Sequence, residues 1–118
     1  AFSSYQSLET RGAYDFKAFS IAAQAVTASG PQSKNLTHYL AVANHYHNTD
    51  GYLTDSVIYR WDATLATFEV FQPISTLGAT SWEAFEVNGV TYLAVSNFFD
   101  GTFHACNSAV YRYSKAND

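Results

Sequence analysis

Short apolar segments, bounded by turn residues and occurring twice in the same order, predict an all-β fold: two four-stranded antiparallel blades of a β-propeller. Composition points the same way. Hydrophobic residues make up 47% of the chain, enough for a packed core, and aromatic residues reach 17%. Charged residues are only 14%, against roughly 25% in an average domain. Such a mixture suits strands buried on both faces.

The elements follow in order. The first copy opens on Phe2-x-x-Tyr5-Gln6-x-Leu8 and continues with Gly12-Ala13-x-x-Phe16-x-Ala18-Phe19-x-Ile21. Tyr39-Leu-Ala-Val-Ala-Asn44 and Ser56-Val-Ile-Tyr-Arg-Trp61 complete it. The second copy reads Phe68-x-x-Phe71-Gln72-x-Ile74, then Gly78-Ala79-x-x-Trp82-x-Ala84-Phe85-x-Val87. It ends with Tyr92-Leu-Ala-Val-Ser-Asn97 and Ser108-Ala-Val-Tyr-Arg-Tyr113. Each segment reads as a strand. Asn88-Gly89 is a hairpin signal between two of them, and Asp50-Gly51 and Asp100-Gly101 punctuate the next connection. The repeat units divide at about 1–66 and 67–118. Residues 22–38 form a Ser/Gln/Ala-rich excursion that the second copy lacks, and Gln24–Ala28, the one helix-tolerant stretch, reads as loop. Asn44 and Asn97 are expected to satisfy loop backbone at strand ends. Trp61, Trp82, Tyr59 and Tyr111 are expected in the core, and Arg60 and Arg112 in an ion pair between blades.

Charge and composition exclude several classes. With a formal net charge of −4 and 6 Lys+Arg, the chain offers no basic cluster for nucleic acid. No apolar run approaches the roughly 18 residues that cross a bilayer, so no membrane insertion is expected. Cys106 is the only cysteine, which leaves no internal disulfide. The absence of Met and of a leader pattern at Ala1 reads as a processed product or an excised piece. Asn35-Leu-Thr37 is an N-glycosylation sequon.

The segments Tyr39–Asn44, Ser56–Asp62, Gln72–Phe85 and Tyr92–Asn97 resemble the EAR repeat, also called EPTP, of LGI-type and TSPEAR-like secreted proteins. The resemblance covers nearly the whole chain. It implies a secreted, extracellular β-propeller that binds protein partners, usually with seven blades. Two blades do not close a ring, so closure is expected by homo-oligomerisation or by a longer parent chain. Three copies are favoured and four are the alternative, with Phe2–Leu8 of one chain completing the blade that Tyr111–Tyr113 ends in its neighbour. The resemblance also implies a channel-lining place for Asp15, where acidic residues of some EAR propellers hold calcium; its counterpart here is Ser81.

Candidate binding residues cluster in two loops. Tyr46, Asn48, Asp50 and Tyr52 lie in one, and Phe98, Phe99, Asp100 and His104 in the other. Rings beside carboxylates and amides suit sugar recognition, and protein hot spots use the same types; plain loop packing uses them too. His45 and His47 form an H-x-H pair that could share a face and chelate a metal, although a partner-contact role fits them better. No nucleophile elbow, phosphate loop or zinc signature supports catalysis. The expected function is a non-enzymatic extracellular recognition module without an obligatory cofactor. A multivalent glycan-binding lectin is placed ahead of a scaffold for a cell-surface protein.

Overall fold

The computed structural model describes residues 1–23 and 35–115. Seven strands run through them: β1 (Ala13–Ala23), β2 (Asn35–Asn44), β3 (Asp55–Asp62), β4 (Thr67–Ser75), β5 (Ala79–Val87), β6 (Val90–Asn97) and β7 (Ala109–Arg112). They form two antiparallel sheets in sequential order, β1-β2-β3-β4 and β5-β6-β7. No α-helix occurs among the described residues.

Both sheets obey the same local rules. Each is entered through a glycine of positive φ, Gly12 at 60° and Gly78 at 52°. A Cβ would lie 2.2 Å from the Tyr46 carbonyl oxygen at Gly12 and 2.6 Å from that of Phe99 at Gly78, so only glycine allows the approach. Each first strand then bulges, between Ala13 and Asp15 and between Ala79 and Ser81. Each second strand ends on the expected asparagine. Asn44 accepts from the Arg11 N–H (3.0 Å) and donates to the Asp55 carbonyl (2.9 Å), while its own N–H reaches Ser56 Oγ (3.1 Å). Asn97 repeats the arrangement with Leu77 N–H (2.9 Å), the Asn107 carbonyl (2.9 Å) and Ser108 Oγ (3.1 Å).

The core lies between the sheets. Tyr39, Ala41, Ala43 and Ile58 of the first pack against Ala79, Trp82 and Val95 of the second. The alanines leave room for the Trp82 indole, which is 3% exposed and donates through Nε1 to the Val42 carbonyl at 3.0 Å. Lys17 on β1 and Glu83 on β5 pair at 3.0 Å across the same joint. Tyr59 is buried and Trp61 is half-buried, and Tyr111 packs against the core from its margin. At Arg60, placed for an inter-blade ion pair, the guanidinium lies 4.6 Å over the Phe71 ring. Arg112 is exposed at the matching register, opposite Tyr92 as Arg60 is opposite Tyr39.

Two features depart from expectation. The second sheet has three strands rather than four. Its missing counterpart, Phe2–Leu8, is not a strand but packs on the first sheet. There the Gln6 amide brackets Phe68, accepting from its N–H (3.0 Å) and donating to its carbonyl (2.8 Å). The Tyr59 hydroxyl donates to the Glu9 carbonyl (3.2 Å), and the Tyr5 and Trp61 rings lie 6.5 Å apart. Within one chain the segment is held beside β3 and β4 and does not add a strand to β7. The 22–38 excursion is also shorter than it reads, because β1 and β2 pair out to Ala23 and Asn35. Gln24–Ala28 lies outside the described residues.

Replacing Trp82 separates the two contributions of its side chain. Trp82→Phe should cost about 1–3 kcal/mol, through the orphaned Val42 carbonyl and lost area, and Trp82→Ala about 3–5 kcal/mol. Urea unfolding measures both, and equal losses would show that the hydrogen bond carries the effect alone. Asn44, 1% exposed, should tolerate alanine less well than the more exposed Asn97: about 1–3 kcal/mol against a smaller loss. Equal midpoints for the two variants would contradict this.

Candidate functional site

The strand ends marked by Gly12, Asn44, Gly78 and Asn97 carry two long connections, β2–β3 (45–54) and β6–β7 (98–108). They hold most of the candidate binding residues. Their backbone is internally fixed. His47 and Gly51 exchange both hydrogen bonds (3.0 and 2.7 Å), which closes a small hairpin around Asn48 to Asp50. The second connection turns on Asp100, whose carboxylate accepts from the N–H groups of Thr102 (2.8 Å) and Phe103 (2.7 Å). The bond from Phe103, then that from Thr102, holds its carboxyl below the usual range.

The aromatic side chains of both connections form one band across the two sheets. Ring centroids of Tyr46 and Tyr52 are 4.8 Å apart, those of Tyr52 and Phe99 4.7 Å, and those of Phe99 and His104 4.5 Å. Phe98 meets His104 edge-on at 5.0 Å. Tyr52 is half-buried at the centre of the band, and its carbonyl accepts from Gly78 N–H at 2.8 Å. Tyr46 and Phe98 stay exposed, at 44% and 51%, and Leu53 and Phe103 of the same connections reach 62% and 64%.

His45 lies beneath the band and is 8% exposed. Its backbone N–H donates to the Gly12 carbonyl at 3.0 Å. Nδ1 lies 3.1 Å from the Gly78 carbonyl, which can only accept, so Nδ1 carries the proton. Tyr14 stacks on the imidazole at 3.9 Å and Tyr52 meets it edge-on at 5.3 Å. His47 faces Asp50 instead, at 3.8 Å, and the Arg11 guanidinium holds the same carboxylate at 2.7 Å. The two histidines therefore serve different neighbours and do not converge as a chelate. Among the described residues, no group of three or more His, Cys, Asp or Glu could hold a metal ion. Asp15 is exposed just after the β1 bulge, where its carboxylate accepts from the Phe16 N–H at 2.9 Å. Asn35 is exposed as the first residue of β2.

Four residues in or beside these connections escape sequence reading. Leu53 and Phe103 are exposed apolar side chains, Tyr14 stacks on His45, and Arg11 pairs with Asp50. Tyr14 occupies the bulge that both copies share, and that was the one available signal. Nothing local announces that Arg11 meets a carboxylate 39 residues away. Two cavities lie elsewhere. One of about 470 Å³, lined by Ile21, Trp61, Asp62 and Lys115, opens at the opposite strand ends. Another of about 140 Å³ lies among Phe19, Phe71, Leu93 and Tyr111, between the sheets.

Known proteins resemble this chain along most of its length. It is 38% identical over 110 residues to the thrombospondin-type laminin G domain and EAR repeat-containing protein of Homo sapiens, covering 93% of this chain. The Mus musculus protein of the same name is 36% identical over the same length. The chain spans 14% of the length of either relative. No solved structure matches. No helix among the described residues is long and apolar enough to cross a membrane. The EPTP domain model matches residues 1–24 and 67–114, more than half of the sequence, which takes in β1, β4 and all three strands of the second sheet. The chain belongs to the EPTP domain family, and its two sheets are propeller blades of that repeat.

Proposed function

We propose that this chain is part of an extracellular, non-catalytic recognition domain that binds a cell-surface protein through the aromatic band on its 45–54 and 98–108 connections. The observation that carries the reading is the division of labour in that band. Buried or half-buried rings make a rigid base, while Tyr46 and Phe98 project from it exposed, and Leu53 and Phe103 of the same connections are exposed as well. Large apolar and aromatic side chains gathered in this way mark protein contacts. The same geometry supports a glycan site less well. Sugar hydroxyls need free acceptors beside a ring face, and both loop aspartates are engaged, Asp50 by Arg11 and Asp100 by its own loop. The extracellular setting is supported by the named relatives, whose names carry a thrombospondin-type laminin G domain.

Binding of the labelled chain to intact cells tests this reading. Protease treatment of the cells should abolish the signal, and enzymatic removal of surface glycans should leave it. Tyr46→Ala with Phe98→Ala should weaken binding by about 2 kcal/mol or more without changing the unfolding midpoint. Signal lost with the glycans, together with a sugar-specific pattern on a glycan array, would instead establish the lectin.

A further inference from the structure

The first hairpin runs farther than the second. In the second blade, β5 and β6 stop at the pair Val87↔Val90, and Asn88-Gly89 makes the turn. The equivalent pair in the first blade is Ile21↔Thr37, but the ladder continues through Ala22↔Leu36 and Ala23↔Asn35. Two extra pairs carry that hairpin about 7 Å farther, at roughly 3.4 Å per residue. The blades pack with equivalent positions abreast, as Lys17 meets Glu83, so the extra pairs extend past the turn of the second hairpin.

Burial along β2 records the same step. Alternate residues share one side of a strand. On the side that faces the joint, Ala41 is fully buried, Tyr39 is 3% exposed, Thr37 is half-buried and Asn35 is exposed. Leu36, between the last two, is 53% exposed. The strand leaves the core as it approaches its first residue, and that first residue opens the sequon Asn35-Leu36-Thr37. The sequon is read on extended chain, so the fold has only to leave room for a bulky hydrophilic product at the surface. The other strand-end asparagines cannot serve. Asn44 is 1% exposed with its amide on the Asp55 carbonyl, and Asn97 is followed by Phe98 and Phe99. Asn88, in the corresponding hairpin, lies in the turn at a φ of 53° and is followed by Gly89 and Val90, without the hydroxyl residue.

We propose that Asn35 carries an N-linked oligosaccharide on this extended end of the first hairpin. The Asn35 amide nitrogen forms the bond to the anomeric carbon of a lipid-pyrophosphate-linked oligosaccharide, the lipid pyrophosphate leaves, and one amide proton is lost. The proposal rests on the extracellular reading, because this transfer belongs to the secretory route. It also gives the blade two unlike ends. The ten residues of β2 set Asn35 about 30 Å from Asn44 and the 45–54 connection, so the glycan keeps one end in solvent and leaves the aromatic band free.

The 118-residue chain, led into the secretory route of cultured animal cells by a cleavable signal sequence, tests it. Protein collected from the medium should have a mass above 13.0 kDa and fall to that value on treatment with peptide N-glycosidase. Asn35→Gln and Thr37→Val should each be secreted at the glycan-free mass, whereas Thr37→Ser keeps the sequon and should keep the modification. The occupancy of the unaltered chain is itself decisive, which covers the case in which a variant does not fold. Unaltered chain secreted at 13.0 kDa overturns the proposal, as does a glycosidase-sensitive mass that persists in Asn35→Gln. Cell binding plays no part in this readout, so the glycan and the band stand or fall separately.

Discussion

Everything in this fold depends on a sheet that cannot bury itself. A strand meander has two faces, and in a repeat of apolar segments both need cover. The first blade gains it on one side because a single indole crosses to it. Trp82 supplies the area, and its Nε1–H finds the Val42 carbonyl at 3.0 Å, so no polar group is lost on burial. Ala41 and Ala43 are small where that ring must fit. Gly78 and the bulge after Ala79 set the direction in which β5 leaves its turn. The asparagine arrangement at Asn44 and Asn97 keeps each turn in register with its neighbour. These parts differ chemically, yet each is needed to aim the indole.

Much of this was legible in the sequence because repeats reveal function by recurrence. The glycine entries, the asparagines and the Tyr-Leu-Ala-Val core strands occur twice, and both copies form the same structure. What recurrence does not reveal is which partner a residue finds outside its own unit. Phe2–Leu8 reads as a strand because Phe68–Ile74 is one, but it does not pair as a strand with either sheet. It lies instead on β3 and β4, with the Gln6 amide on the Phe68 backbone. Arg60 reads as a cation in need of an anion, and the structure places it over the Phe71 ring. In the first case the residue type was read correctly and the neighbour was not; in the second the ring is a neighbour that the residue type did not announce.

The binding loops show the same limit at the level of chemistry. Tyr, Phe, Asp and Asn together suggest hydroxyl recognition only if the polar groups are unoccupied. Asp100 spends its oxygens on Thr102 and Phe103, and Asp50 meets Arg11. Composition alone cannot distinguish a carboxylate that binds a ligand from one that shapes its own loop. The aromatic residues keep their value because a ring has faces and edges to spare. Tyr52 contacts His45, Tyr46 and Phe99 while its backbone holds Gly78. The surface that remains to a partner is therefore apolar, and that shifts the functional reading from sugars toward proteins.

The positions at which the two copies differ are as informative as those at which they agree. Identical blades would meet through identical charges, and a joint between two lysines or two glutamates would repel. Lys17 and Glu83 occupy the same place in successive blades with opposite sign, so the blades attract in this order. The pair is largely exposed, and surface ion pairs contribute little to stability, about 0–1 kcal/mol. Its value lies in discrimination, since like charges at this place would penalise a blade meeting another of its own kind. Phe16 and Trp82 differ in the same spirit. Only the indole can hydrogen-bond a strand carbonyl, so the filled joint is anchored by a polar contact that a phenylalanine joint would lack. Differences of this sort specify which blade meets which at this joint.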